Sequence, residues 1–463
     1  MLIQSFVDEG LGNTSYLVAS EAAGEAAIID AERDVDRYLQ VIEGLGLRLR
    51  YALDTHLHND FVSGVRELAL LPGVQIGASA GAELGFDYLP LGEGDSLSLG
   101  ELSLGILATP GHTPEHISFT LGEPNQSAPQ AVFTGGALMV GGAARTDLLG
   151  PEWTTKLARQ LHHSLHGKLL RLPDAVQVYP THGAGSFCAA PASGERTTTI
   201  GRERATNTLA RTTEIDEFVA LATRDLPTYP AYFREMRAIN QRGPAVLGGL
   251  PVLRPLTLAD VRARQQQGAV IVDLRPSTEF VAGHIPGSFS VALRDAFGTW
   301  VGWVVPFGTP LILITHETPA EHEAAVRQLI RIGYDQLAGY LAGGLTAWEA
   351  AGQPVARWST VTAAEVHDRL AQRDGLAVVD VRQVHEWNAG HIPGAVHGEA
   401  GQLQEQQLEL RPDQPIAVHC GHHDRAATGL ALLERRGFRN LHLIEGGISA
   451  WKTAGYPTES DQS

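Results

Sequence analysis

The C-terminal half of the chain is built twice, and this repeat limits the folds available to it. Asp273 recurs as Asp380, 107 residues later, each within a Val-Asp-x-Arg stretch. The segment 279–287 (EFVAGHIPG) returns at 386–394 as EWNAGHIPG. A period this long exceeds a solenoid repeat and indicates a duplicated domain. Within each copy strands alternate with helical patterns, which predicts βαβ units and a parallel sheet.

A Gly/Pro-rich stretch at 243–251 separates the repeat from the first half of the chain. At about 150 residues per domain, 463 residues predict about three domains. The predicted boundaries are as follows: an N-terminal domain at 1–240, a linker at 241–254, a first copy at 255–357 and a second copy at 358–463.

The N-terminal region alternates short apolar runs with helical spacing. We predict one helix over 35–45 and strands over 15–19, 26–30, 47–54, 102–107, 117–121 and 131–134. Two groups of strands with helices between them indicate an α/β protein with a two-sheet sandwich flanked by helices.

Charge and cysteine content exclude several classes of protein. The net charge is −17 and no basic stripe occurs, which argues against nucleic acid and anionic membrane surfaces as partners. No apolar run of about 18 residues predicts a membrane span. Two cysteines and an N-terminus without a basic leader favour a cytoplasmic protein.

Cys420 is the candidate nucleophile of the second copy. It follows a strand-like run and precedes a helix predicted over 426–436, with Arg425 five residues after it. Unpaired N–H groups at a helix N-terminus favour an anion, so we expect a lowered thiol pKa and a persistent thiolate. The loop Gly421, His422, His423 and Asp424 would then cradle a persulfide. For a lone cysteine, a buried inert thiol is the alternative.

The first copy lacks these reactive groups. Alignment of the two copies places Thr315 opposite Cys420, and the loop that follows has no arginine. A threonine hydroxyl does not carry sulfane sulfur at neutral pH. This copy is predicted to act as a spacer or docking module.

The Asp-x-Arg, Gly-His-Ile-Pro-Gly and Cys-x-x-x-x-Arg elements together resemble the rhodanese (sulfurtransferase) domain. The resemblance implies two rhodanese-like α/β domains with parallel sheets. It also implies that Arg382, Glu386 and the turn at 391–394 are scaffold elements, whereas Cys420 and Arg425 are catalytic.

Three histidine-bearing loops of the N-terminal region each follow a predicted strand. The first loop carries His56, His58 and Asp60, the second carries His112, and the third carries His182. Any one of these histidines alone would be read as structural. Gathered at one rim, imidazoles form a nitrogen-rich site for zinc or iron.

These loops, with the segments 133–138 (FTGGAL) and 144–147 (ARTD), resemble the metallo-β-lactamase fold over about residues 1–235. With the tandem rhodanese domains, the whole chain resembles a persulfide dioxygenase–rhodanese fusion. The resemblance implies an N-terminal αββα metallo-β-lactamase sandwich. It also implies mononuclear Fe(II) held by two histidines, matching His56 and His112, and by one aspartate.

Two positions depart from that family. Gly136 stands where the aspartate is expected, and Phe61 stands where many relatives carry a histidine. Both losses argue against a two-metal thioesterase. The remaining expectation is a three-histidine site of His56, His58 and His112, with Asp60 and His182 as supporting groups or substitute ligands. Bound zinc, or a relic domain without metal, are the alternatives.

The resemblance implies that a small persulfide such as glutathione persulfide is oxidised by O2 to sulfite. Cys420 would then move sulfane sulfur between sulfite, thiosulfate and a thiol. A homodimer formed through the N-terminal domain is also implied. Two alternatives stay open: a sulfurtransferase with a silent N-terminal domain, and a non-catalytic sulfur-relay scaffold.

Overall fold

The structure of the protein is a computed structural model that describes residues 1–124, 126, 128–188 and 194–460. The chain divides into two compact units. The first contains residues 1–226, 232–251 and 330–333. The second contains residues 227–231, 252–329 and 334–463, so both copies of the repeat lie in one unit.

The first unit contains a mixed sheet in the order β1-β2-β3-β4-β5-β6. Strands β1 to β3 are antiparallel, and β3 to β6 are parallel. Strand β2 is buried along its whole length because the sheet is covered on both faces. The strands are β1 Leu2–Asp8, β2 Asn13–Ser20, β3 Glu25–Ile29, β4 Arg48–Leu53, β5 Gln75–Ser79 and β6 Leu89–Leu91.

A second mixed sheet has the order β12-β11-β10-β9-β8-β7. Its only parallel pair among the described residues is β10 with β11, and the other neighbours are antiparallel. The strands are β7 Ser96–Leu99, β8 Leu102–Ala108, β9 Ile117–Gly122, β10 Ala131–Gly135, β11 Gln177–Pro180 and β12 Thr198–Thr199.

Three apolar cores hold this unit together. The central core lies between the two sheets and includes Phe119 and Phe133. One outer core packs α1 and α2 on the first sheet, and the other packs α3 and α6 on the second. The predicted αββα sandwich is therefore confirmed. The helices are α1 Asp36–Gly44, α2 Val65–Leu68, α3 Pro151–Gly167, α4 Ile200–Thr206, α5 Thr208–Arg211, α6 Ile215–Ala222 and α7 Phe233–Arg242.

The first copy of the repeat forms an all-parallel sheet in the order β13-β17-β16-β14-β15. Its strands are β13 Pro255–Leu256, β14 Val270–Asp273, β15 Phe289–Ser290, β16 Leu311–Ile314 and β17 Leu337–Leu341. Its helices are α8 Leu258–Gln266, α9 Ser277–Ala282, α10 Phe297–Val304, α11 Pro319–Arg331 and α12 Gly344–Ala350.

The second copy repeats this parallel topology in the order β18-β22-β21-β19-β20. Its strands are β18 Ser359–Val361, β19 Ala377–Asp380, β20 Val396–His397, β21 Ile416–His419 and β22 Leu441–Ile444. Its helices are α13 Ala363–Gln372, α14 Val384–Asn388, α15 Asp424–Arg435 and α16 Gly447–Thr453. The parallel sheets predicted from the repeat are confirmed.

Each copy has the same ion pair after its central strand. Arg275 binds the carboxylate of Asp273 and donates to the carbonyl of Gly283 at 2.9 Å. Arg382 makes the matching contacts with Asp380 and Gly390. The Asp-x-Arg motif therefore ties the strand end to the Gly-His-Ile-Pro-Gly turn, as its assignment to the scaffold requires.

Helix α15 lies between its own sheet and the first copy. Residues Ala426 to Leu433 are all buried. The hydroxyl of Thr428 donates to the carbonyl of Ser290 at 2.7 Å. Because α15 contacts strands of both copies, most of its surface is apolar.

No helix in the described residues is long and apolar enough to cross a membrane.

Truncation of Phe119 to alanine tests the central core of the sandwich. Phe119 is fully buried between the sheets, so its truncation should lower the free energy of unfolding by about 3–5 kcal/mol. Urea unfolding followed by fluorescence measures the loss. Leu70→Ala is the control, because Leu70 is 59% exposed and should change stability by less than about 0.5 kcal/mol. Equal effects would contradict the assignment of the core.

Candidate functional site

Three buried histidines from three strand-end loops meet at one point. His56 follows β4, His112 follows β8 and His182 follows β11. One ring nitrogen of each lies within 4.8 Å of the others. The Nε2 atoms of His56 and His182 are 3.3 Å apart. The three loops predicted to converge therefore do so.

The first of these rings is held by a threonine. Nδ1 of His56 lies 2.8 Å from the hydroxyl of Thr55. That hydroxyl donates its hydrogen to Asp30 at 2.8 Å. It must therefore accept the hydrogen bond from His56, whose Nδ1 carries the ring proton. The lone pair of the ring is therefore on Nε2.

The other two rings have the same tautomer. Nδ1 of His112 donates to the carbonyl of Arg145 at 2.7 Å. Nδ1 of His182 donates to Oδ1 of Asn13 at 2.9 Å, since the amide nitrogen of Asn13 donates elsewhere. Nε2 of His112 is buried and has no hydrogen-bond partner in the described part of the chain. Such an orphaned acceptor is costly unless it has a ligand.

All three rings are neutral at pH 7. Burial, together with the neighbouring imidazoles, lowers the pKa of His112 to about 3 and that of His56 well below its usual range. Burial also lowers the pKa of His182 to about 3. A neutral imidazole with a free Nε2 is the form that binds a metal ion.

His58 was predicted to be a ligand with His56 and His112, but its ring nitrogens do not belong to the group of His56, His112 and His182. The centroids of the His58 and His56 rings are nevertheless only 4.2 Å apart. Nε2 of His58 is 3.3 Å from Asp30 and 3.7 Å from Asp54. Burial alone would lower the pKa of His58, but these two carboxylates outweigh burial and raise it to about 10. The ring of Phe61 stacks on the His58 ring with centroids 4.1 Å apart.

Asp60 lies beside His182. Its Oδ2 accepts from the amide of Asn13 at 2.8 Å, and its backbone carbonyl accepts from Tyr232 at 2.7 Å. Asp60 could also form a ligand group with His58 and His182, whose donor atoms lie within 4.8 Å of one another. Burial raises the pKa of the Asp60 carboxyl.

The space beside Gly136 is filled by other side chains. A Cβ at this glycine would lie 2.8 Å from both Cδ2 of His112 and Cβ of Ala144. His116, which was not among the predicted site residues, accepts a hydrogen bond from the Gly136 amide at 3.0 Å. Its ring stacks on His56 with centroids 4.9 Å apart. No carboxylate fits at position 136 in this arrangement.

Helix α7 holds two of the histidine loops, which sequence reasoning missed. The buried amide of Asn240 donates to the carbonyls of His58 and Phe61 at 2.9 and 2.8 Å. Arg237 forms an ion pair with Glu115 at 3.0 Å. No local sequence signal connects this helix to loops about 120 to 180 residues earlier.

The second candidate site is the loop around Cys420. The cysteine follows β21 directly and precedes α15, as predicted. Cys420 is buried, with 2% of its surface exposed. The backbone amides of His422 and Ala426 act on the sulfur in the direction that lowers the pKa of the thiol. This arrangement stabilises negative charge on the sulfur.

The expected depression of the Cys420 pKa is wrong. Burial raises the pKa of this thiol, and the opposing effects of Arg425 and the backbone amides only partly offset it. Arg425 binds the carboxylate of Glu386, with Nη2 2.9 Å from Oε1, and this negative charge offsets the effect of Arg425 on the thiol. The sequence motif does not reveal how deeply the sulfur is buried.

The rest of the loop is fixed from both sides. The hydroxyl of Ser449 donates to the carbonyl of Gly421 at 3.0 Å. Asp424 accepts from the hydroxyl of Ser277 in the first copy at 2.9 Å. His422 is exposed, and His423 lines a cavity of about 350 Å³ between the two copies.

The equivalent loop of the first copy has different chemistry. Thr315 occupies the position of Cys420, and its hydroxyl lies 3.0 Å from Nε2 of His322. His316 lies 3.1 Å from Glu279. This pair corresponds to the pair of Arg425 and Glu386 in the second copy. A histidine has therefore taken over the ion pair while the sulfur nucleophile is absent.

The fold and the buried histidines define a metallo-β-lactamase-fold protein with tandem rhodanese-like domains. The sequence matches the Metallo-beta-lactamase superfamily over residues 8–182. It matches the Rhodanese-like domain twice, over residues 257–351 and 362–454.

Two relatives of known class resemble the N-terminal part of the chain. The chain is 36% identical to mouse "Persulfide dioxygenase ETHE1, mitochondrial" over 187 residues, 40% of this chain and 68% of the relative. It is 32% identical to "Hydroxyacylglutathione hydrolase GloC" of Haemophilus influenzae over 203 residues, 39% of this chain and 85% of the relative.

A crystal structure titled metallo-beta-lactamase, from Staphylococcus aureus subsp. aureus COL, is 30% identical with a TM-score of 0.65. It covers 73% of this chain and 98% of its own. The chain belongs to the metallo-β-lactamase superfamily, as a homologue of the ETHE1 persulfide dioxygenases fused to two rhodanese-like domains. It is an enzyme of sulfur metabolism.

The pH dependence of Cys420 alkylation tests its environment. Because burial raises the pKa of the thiol, the rate with iodoacetamide should still be rising above pH 9. Arg425→Gln should slow the reaction at pH 8, since the positive charge that opposes burial is lost. The reaction is followed in a Cys188→Ser background, because Cys188 is also a buried thiol with a raised pKa.

Arg411→Gln is the matched control for this experiment, because Arg411 is exposed and its guanidinium donates to the side chain of Gln414 rather than to the Cys420 loop. It should react like the wild type. A rate that reaches its plateau near pH 7 would show a thiolate at neutral pH and contradict the account.

Proposed function

We propose that the protein oxidises the terminal sulfur of a small thiol persulfide, such as glutathione persulfide, to sulfite, and moves sulfane sulfur through Cys420. The buried imidazole cluster is the observation that carries this proposal. Three neutral rings with free Nε2 atoms suit a non-haem iron, which prefers imidazole ligands and open positions. The similarity to persulfide dioxygenases supports the choice of substrate.

The residues present fit a mononuclear metal. The orphaned Nε2 of His112 and its two neighbours offer three ring nitrogens within 4.8 Å of one another. Phe61 fills the space beside His58 where a second-site ligand would stand. This observation disfavours a two-metal hydrolase, although the chain also resembles hydroxyacylglutathione hydrolases.

The overall oxidation is RSSH + O2 + H2O → RSH + SO3²⁻ + 2H⁺. Fe(II), when bound, would supply the activation of O2 that no side chain can provide. The chain holds the three rings in the ligating tautomer through Thr55, Arg145 and Asn13. Burial excludes bulk water from the reactive sulfur.

The transfer step occurs at Cys420. The thiolate attacks the outer sulfur of thiosulfate, the S–S bond breaks, and sulfite leaves with the bonding electron pair. The enzyme persulfide then passes its outer sulfur to a thiolate or cyanide. The amides of His422 and Ala426 stabilise the anionic sulfur in both states.

The fusion links the two reactions, because sulfite made at one site is the acceptor for sulfane sulfur at the other. The transfer at Cys420 then runs in the reverse direction: the Cys420 persulfide passes its outer sulfur to sulfite, and the product is thiosulfate. The first copy contributes no nucleophile, and its Ser277 holds the loop through Asp424.

Two substitutions separate the proposed reactions. His112→Ala should reduce persulfide-dependent O2 uptake to the level without enzyme, while thiosulfate:cyanide sulfurtransfer continues. Cys420→Ser should abolish sulfurtransfer because a serine hydroxyl is not nucleophilic enough, while O2 uptake continues. An oxygen electrode and thiocyanate colorimetry measure the two activities.

His163→Ala is the histidine control, since His163 is exposed on α3. It should keep both activities. Sulfurtransfer without any persulfide-dependent O2 uptake in the iron-loaded wild type would leave only a sulfurtransferase. Loss of neither activity in Cys420→Ser would favour a non-catalytic relay.

A further inference from the structure

The ligand set of this centre differs from the one that the family resemblance implies. Two histidines and an aspartate are expected there, but position 136 is glycine. A Cβ at this glycine would lie 2.8 Å from the His112 ring. The third ligand must therefore come from another part of the chain.

His182 offers a ligand atom close to the other two histidines. Its Nε2 lies 3.3 Å from Nε2 of His56, and both belong with His112 to one group within 4.8 Å. The ring is aimed by Asn13, which accepts from Nδ1 at 2.9 Å and leaves Nε2 free. Asn13 and His182 are also joined by an antiparallel backbone bridge.

His58 is a poorer candidate despite lying two residues from His56. Its Nε2 faces the carboxylates of Asp30 and Asp54 at 3.3 and 3.7 Å. Phe61 stacks against the same ring at 4.1 Å. Nδ1 of His58 has no hydrogen-bond partner among the described residues, but its ring nitrogens group with Asp60 and His182 and not with His56 and His112.

We propose that His182 replaces the missing aspartate, so that the iron is held by the three imidazoles of His56, His112 and His182. This inference rests on the proposed function, because it concerns the metal of that site. Three neutral ligands leave the full charge of Fe(II) uncompensated, whereas a carboxylate would cancel one unit. An anionic ligand such as a persulfide is therefore bound more strongly by electrostatic attraction.

The iron content of variants tests this assignment without relying on turnover. Full-length proteins are loaded anaerobically with Fe(II), desalted and analysed for iron per chain, with thermal melting to verify folding. Wild type should retain about one iron. His182→Gln should lose it, as should His56→Gln and His112→Gln. His58→Gln, Asp60→Asn and the exposed control His163→Gln should retain it.

A carboxylate at position 182 gives an independent readout. His182→Asp restores a set of two histidines and one carboxylate, so it should retain iron where His182→Gln does not. The electron paramagnetic resonance spectrum of its nitric oxide adduct should differ from that of wild type, since one ligand has changed. An unchanged spectrum would show that residue 182 does not bind the metal.

The outcomes separate this inference from the proposed function. The ligand assignment is overturned if His182→Gln retains iron. It is also overturned if Asp60→Asn loses iron while His112→Gln retains it. Either result still leaves an iron enzyme. No iron in the wild type, together with no persulfide-dependent O2 uptake, overturns both.

Discussion

The orientation of three buried imidazole rings is the interaction on which the rest of the N-terminal unit depends. Nδ1 of each ring carries the proton and donates a hydrogen bond to a fixed acceptor. The three Nε2 atoms are therefore unprotonated. Bringing unpaired acceptors together inside a protein is unfavourable unless a cation binds there. The two sheets and helix α7 supply the rigidity that keeps these strand-end loops in place.

Much of the fold was predictable because its signals are local or repeated. The apolar run at 26–30 overlaps β3, and the helical spacing at 35–45 contains α1. The recurrence of the Asp-x-Arg motif predicted two parallel sheets of the same strand order. The position of Cys420 between β21 and α15 followed from the same pattern.

The finer points of the sites were not predictable because they depend on long-range packing. The sequence placed His58 in the three-histidine site and His182 among the substitute ligands, whereas in the structure the carboxylates of Asp30 and Asp54 face His58. Asn240 reaches the histidine loop from about 180 residues away. The burial that raises the Cys420 pKa comes from the packing of the loop and is invisible in the motif.

The two copies of the repeat show how one scaffold keeps its structure after losing its chemistry. The Asp-x-Arg ion pair is retained in both copies, whereas the cysteine is replaced by Thr315. The first copy still contacts the active loop through Ser277 and Asp424. This contact supports the proposal that the first copy acts as a spacer or docking module.

Iron K-edge X-ray absorption of the anaerobically loaded protein tests the central claim most directly, because it measures the ligands of the metal itself. The account predicts light-atom neighbours and the outer-shell scattering of three imidazole rings. Scattering from fewer rings, or a thiolate sulfur among the ligands of the resting protein, would contradict it.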